Sequence, residues 1–261
     1  MSDISRTVEE FTRRSEFLLT VPGDKRKDFW QMDGPDSPYS YTASDVVKFT
    51  EANCLATAAT NNNEILEFKR KLHADLEANR ISPLKGNLLA ALIGEYIVWI
   101  DHLFFFGVIT HPTRREGELA AANPMITLVC KEGLQYEKEN DLKGVYSREK
   151  GELWLNLLEC SGQSRPFDRL LATAAHELVH VYLHFLTRDA SAASYLRDVG
   201  YNNGHGVQFH ELLQFIFTRL FEWMPAMTRL GELAMEARKD LQSALAQPVI
   251  SDSIARSLLS N

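Results

Sequence analysis

Apolar residues recur at helical spacing through most of this chain. From Pro166 to Leu186 they include Leu170, Leu171, Ala174, Ala175, Leu178, Val179, Tyr182 and Leu183. So broad an apolar face predicts a largely buried helix. Ser164 suits its cap, and Pro166 and Asp168 suit its first turn. A second apolar helix is expected over Val207–Met224, built on Leu212, Leu213, Ile216, Leu220 and Phe221. Pro225 interrupts it before a further amphipathic helix, Met227–Gln247, and a short one at Ser251–Leu259. The most apolar run is Leu88–Ile109, after a break at Ile81-Ser82-Pro83. It tempts a membrane reading, but Glu95, Asp101 and His102 interrupt it, and charges at mid-span cost several kcal/mol. A buried core helix is expected instead. Upstream, helices are expected at Ile4–Leu19, Ala43–Ala59 and Asn63–Asn79, the second capped by Thr42 or Ser44. A loop rich in Pro, Gly and Asp, Val21–Ser40, separates the first two. Its Trp30, with Tyr39 and the adjoining Tyr41, suggests packing against a surface.

Chemistry enters on the first of these helices. His176-Glu177-Leu178-Val179-His180 reads H-E-x-x-H. Positions four apart on an α-helix lie one turn along and about 40° around the axis. His176 and His180 can therefore aim two imidazole nitrogens at one metal ion. Glu177, beside the first ligand, can reach a water held at an open coordination position and serve as general base. This is the arrangement of a zinc hydrolase. Two histidines and a glutamate on a buried helix are costly without partners.

A catalytic zinc usually takes a third protein ligand. The metzincin completion needs a His six residues beyond the second, where this chain has Leu186. The thermolysin-like completion needs a downstream Glu, and none lies between Thr187 and His210. His205 stands out, in Gly204-His205-Gly206, where flanking glycines let the backbone approach a site closely. It sits at the mouth of the helix that begins near Val207. Three rivals remain at this stage. His184 extends the i, i+4 ladder but is two turns from His176 and about 80° around. Asp198 offers an oxygen ligand or an acceptor for a ligand imidazole. His210 lies just inside the next helix.

H-E-L-V-H followed by G-H-G-x-x-F resembles the SprT-like zinc metallopeptidase family, which includes the Spartan proteases. The likeness rests on His176, Glu177, His180, His205, Gly206 and Phe209 and spans roughly Leu84–Met224. Upstream, Ile97 to Gly107 looks like that family's helix ending in an aromatic-Phe-Gly turn. Three candidate strands follow, Met125–Cys130, Gly144–Ser147 and Glu152–Leu157, the last preceding the metal helix as in the family. The resemblance implies a sheet edge that binds an extended peptide beside the metal by strand addition. Two features depart from the family. Thr187–Gly200 looks inserted, and no Cys follows Cys160, so the Spartan-type zinc ribbon is missing.

Composition narrows the setting. Cys54, Cys130 and Cys160 are far apart and form no C-x-x-C pair, so neither a disulfide framework nor a zinc knuckle is expected. A thiolate of Cys54 gagging the zinc has nothing around it in favour. The charged N-terminus lacks the apolar core of a signal peptide. An intracellular protein, cytoplasmic or nuclear, with no membrane span is therefore expected. A formal charge of −7 argues against nucleic-acid binding through the overall field. The basic clusters Lys25-Arg26-Lys27, Lys69-Arg70-Lys71 and Arg114-Arg115 leave local contact open.

The expected fold class is α+β, mainly helical, with a small three-stranded sheet beside the H-E-x-x-H helix and extra helices from both termini. Residues 1–83 are read as a helical extension, 84–224 as the metallopeptidase domain and 225–261 as a C-terminal helical segment on the core. The expected activity is zinc-dependent hydrolysis of a protein or peptide substrate. Zn²⁺ would sit on His176, His180 and His205, with Glu177 as base and Tyr201 as oxyanion donor. A non-catalytic metal-stabilised scaffold and a DNA-associated protease are the alternatives.

Overall fold

The computed structural model describes residues 43–57, 62–107, 109–110, 126–132, 143–147, 150–159, 161–187 and 205–246. Within them the order is α1 (Ala43–Asn53), a 3₁₀ turn (Leu55–Thr57), α2 (Asn63–Ile81), α3 (Gly86–Phe104), β1 (Thr127–Lys131), β2 (Gly144–Ser147), β3 (Glu152–Asn156), α4 (Phe167–Leu186), α5 (Val207–Trp223) and α6 (Thr228–Leu245). The architecture is α+β and mainly helical, as expected. The expected helices Ile4–Leu19 and Ser251–Leu259 and the loop Val21–Ser40 lie outside the described residues.

Some helix ends follow from local side-chain chemistry. Asn62 caps α2 by accepting the Glu64 N–H at 2.8 Å. Past its end, Asn79 Oδ1 accepts the Leu84 N–H at 2.8 Å, which fixes the Ser82-Pro83 break. α1 stops before the expected Ala59. Its Asn53 side chain donates back to Phe49 O at 2.9 Å, offering the backbone an alternative to helix. At the start of α4 the cap is Pro166 without a side-chain bond, not Ser164. Ser164 instead bridges the Leu158 backbone, so the chain is still extended there.

α3 ends five residues before the apolar run does. Phe105 and Gly107 both donate to Asp101 O, at 2.8 and 3.0 Å, while Phe106 and Gly107 turn left-handed at φ 56° and 69°. Left-handed geometry is strained for a bulky residue. Phe106 is held by burial and by the ring of Phe49, 5.6 Å away. The Asp101 carboxylate, fully buried, accepts from Ile109 N–H at 3.2 Å and from the Thr110 N–H and hydroxyl at 2.7 Å each. Burial raises its pKa to about 7 against these donors, which pull it down. Asp101→Ala leaves those amides without an acceptor. It should lower the unfolding free energy by about 2–4 kcal/mol in a urea titration, and a loss under about 1 kcal/mol would show that the loop finds other partners.

Among the described residues α3 alone is long and apolar enough, by length and composition, to cross a membrane. Here half of it is buried inside the protein, where Leu89, Ile93, Ile97 and Ile100 enter the core.

β3 is the central strand, parallel to β1 and antiparallel to β2. Leu153 and Leu155 alternate inward from it onto the core. One continuous apolar cluster runs from Val46, Ile65 and Phe68 through α3 and β3 to Leu171, Leu178, Leu212, Ile216 and Leu230. The described part of residues 1–83 thus shares its core with the rest. A hydrogen bond at 2.9 Å between Thr50 and the buried Tyr182 hydroxyl ties α1 to α4. Of the basic clusters, only Lys69-Arg70-Lys71 lies within the described residues. There Lys71 pairs with Asp75 at 3.0 Å and Glu95 at 2.9 Å on an ordinary helix surface.

Candidate metal centre

α4 carries His176 and His180 one turn apart, and His205 enters from the residue before the N-cap of α5. Their Nε2 atoms converge: His176 to His180 is 3.3 Å, His180 to His205 is 3.0 Å and His205 to His176 is 3.1 Å. Nitrogens about 2.0–2.1 Å from a tetrahedral ion stand roughly 3.3–3.4 Å apart. The spacings lie at that value or a few tenths of an ångström below it. The three histidines therefore form a group that could hold a metal ion.

Protonation state agrees with geometry. Burial, then the like charges of His205, His210 and Lys143, hold His176 down to about 3. Burial and His210 hold His205 down to about 4, with Asp240 opposing. At neutral pH both rings are uncharged, the form that ligates a cation. A cation between the three converging nitrogens would take one lone pair from each ring.

One apolar ring supports all three. Phe209, fully buried, lies 4.3 Å from the His180 ring, 4.5 Å from His205 and 4.9 Å from His176, centroid to centroid. Its spacing from His205 is the i, i+4 repeat at the opening of α5.

Glu177 points into the same cleft and is 6 % exposed. Burial lifts its pKa to about 7, and a hydrogen bond from the Tyr146 backbone N–H pulls the other way. A cation on the triad would lower it again. The source of that backbone bond is the sheet register. Asn156 N–H donates to Lys143 O at 2.9 Å, so Lys143 and Asn156 are a hydrogen-bonded pair. Bonded and non-bonded pairs alternate along antiparallel strands. The N–H and C=O of Gly144 and Tyr146 therefore face away from β3, toward α4. β2 comes close there because position 144 has no side chain. A Cβ would meet Thr173 Cγ2 at 2.7 Å, Leu155 Cδ2 at 3.1 Å and Glu177 Cγ at 3.2 Å.

Of the rival ligands, His184 faces the Tyr146 ring, 5.9 Å away, and takes no part in the triad. His210 lines the cleft beside His205 without joining it. Asp198 and Tyr201 lie outside the described residues. Cys54 is buried in the core, its thiol pushed up to about 12 chiefly by burial.

The cleft has a volume of about 660 Å³ between α4, α5 and α6, with the start of β2 at its rim. Gly144 and the α6 residues Glu232, Glu236 and Asp240 line it. None of these was singled out by motif or spacing. The acids do recur at i, i+4 and i+8, which marks one helical stripe but not what it faces. No family model matches this chain, and no curated protein or solved structure is significantly similar to it.

Proposed function

We propose that this chain is a zinc-dependent peptidase of the SprT-like kind. The observation that carries the reading is the convergence of three imidazole nitrogens on one point, in a cleft that also holds a buried carboxylate. Three nitrogen donors suit zinc with one position open, whereas a structural site would use four protein ligands and need no carboxylate beside it. The resemblance of H-E-L-V-H and G-H-G-x-x-F to the SprT-like family supports the same conclusion.

A zinc ion on His176, His180 and His205 would supply Lewis acidity and lower the pKa of a water there toward about 7. The chain's own groups do the rest. Glu177 takes the proton of the attacking water at its carboxylate and returns it to the departing amine. The Tyr146 backbone N–H fixes that carboxylate's direction. Glu177 takes the Tyr146 N–H, and Gly144, which lines the cleft, is the β2 residue whose backbone groups suit an extended peptide there. Tyr201 is assigned to oxyanion stabilisation on its nearness in sequence to His205.

The test is hydrolysis of denatured casein. Activity should disappear with a chelator and return with added zinc. A protein that retains near-stoichiometric zinc but cuts neither casein nor a peptide library would instead be a metal-stabilised scaffold. Gly144→Ala probes the base's setting. The new methyl should push β2 from α4 and reduce kcat by about tenfold or more at unchanged zinc content. Unaltered kcat would mean that β2 does not position Glu177.

A further inference from the structure

The cleft continues past the histidines as an apolar trough. Phe209, Leu213 and Phe217 recur at i, i+4 and i+8 on one face of α5 and form its floor. Eight residues at about 1.5 Å each make that floor roughly 12 Å long. Ala172, one turn before His176 on α4, lines one side, and Leu233 and Ala237 of α6 line the other. Gly231 lets α6 close on α5, since a Cβ there would meet the Phe221 ring at 3.0 Å. The whole cleft, about 660 Å³, falls within the roughly 300–1,000 Å³ of ligand pockets. Charged side chains around the trough are engaged elsewhere. Arg169 pairs with Glu159 at 3.1 Å, and Arg229 with Glu232 at 2.8 Å and Glu236 at 3.4 Å. The buried Arg165 has an interaction of its own. Lys143 and Asp240, exposed and opposite in sign, act on the histidine rings at the metal end. Selection along the trough is left to its apolar surface.

We propose that this trough is the specificity pocket of the site and receives one large apolar side chain, aliphatic or aromatic, from a residue adjoining the cut bond. The inference rests on the peptidase reading and adds the substrate class to it. A substrate carbonyl at the triad brings its neighbouring residues within a side chain's reach of Ala172, which lies one helical turn, or about 5.4 Å, from His176. An extended chain turns neighbouring side chains to opposite sides, so one of the two enters the trough and the other faces out. A Leu or Phe that enters removes its own apolar surface and that of the floor from water together. A small side chain leaves the floor uncovered, and a charged one finds no polar partner on Phe209, Leu213 or Phe217. Ala172 and Ala237 are small where the trough must stay open, which marks the positions at which a larger residue would block it.

The experiment uses the full chain loaded with zinc, denatured casein, and four peptides of one Ser/Gln background that differ only at a central Leu, Phe, Ala or Glu. The Leu and Phe peptides should be cut with a kcat/KM at least about tenfold above the Ala peptide, and the Glu peptide below it. Mass spectrometry of the products should place the cut beside the Leu or Phe. In Ala237→Leu the added side chain fills the trough, and the ratio of Leu to Ala peptide should fall to about one. Damage to the fold or to metal binding would lower both peptides together and keep the ratio. If that variant fails to fold, the ratio and the cut position in the unaltered protein decide. Casein cleaved with the Leu, Phe and Ala peptides cut equally would overturn the pocket and leave the peptidase reading standing. So would a preference that survives in folded Ala237→Leu. Casein left intact would overturn that reading and this inference with it.

Discussion

Glu177→Gln is expected to abolish hydrolysis while leaving bound zinc unchanged. Gln keeps the size of the side chain and one oxygen that can accept from the Tyr146 N–H, so local packing survives. It cannot accept a proton from water. General-base catalysis contributes about 10²–10⁴-fold, and the casein-cleavage rate should fall by at least that much. Metal content measured on the same sample separates this from damage to the site, because Glu177 is not among the converging nitrogens. Retained cleavage would refute Glu177 as base, and lost zinc would make it a ligand.

The second large effect belongs to His205. Two nitrogens remain in His205→Ala, both on α4, and among the described residues no other side chain joins the triad. Zinc affinity should drop by more than the roughly 10–100-fold associated with losing a supporting hydrogen bond. The fold should persist, since His205 precedes α5 and the core contacts of that helix begin at Val207 and Phe209. Circular dichroism near that of the parent, with zinc far below one equivalent, is the expected pair of readings. Undiminished zinc would require another ligand, with His184 and His210 the first to replace.

How far the sequence anticipated this site depends on which atoms carry it. His176, Glu177 and His180 were legible because an i, i+4 pair on an amphipathic helix is a local property. His205 was legible because Gly-His-Gly ahead of an apolar run has few ordinary explanations. The contribution of β2 was not, since it comes from the backbone N–H of Tyr146 and the missing side chain of Gly144. Register decides both, and register is a pairing across distant residues. The acidic row on α6 was visible as a stripe, but only the fold aims it at the cleft. Asp101 illustrates the same limit. It read as an interruption of an apolar run, whereas in the fold it is the acceptor that ends the helix and ties down the loop beyond it. Its partners Ile109 and Thr110 are eight and nine residues away, beyond any helical repeat. The helix-end differences have two origins: at Asn53 a side chain competes with the backbone, and before Pro166 the Leu158–Ser164 bridge keeps the chain extended.

Phe209 has a kinetic consequence. Its ring backs all three imidazoles at once, so no single ligand can swing aside without opening a void against a fully buried aromatic. Departure of an ion would then call for a collective displacement of the first turn of α5 rather than independent rotamer flips. Exchange should be slow even where the equilibrium affinity is ordinary. The residence time of a metal on the triad would then be set from the apolar side of the site, by a residue outside the ligand set.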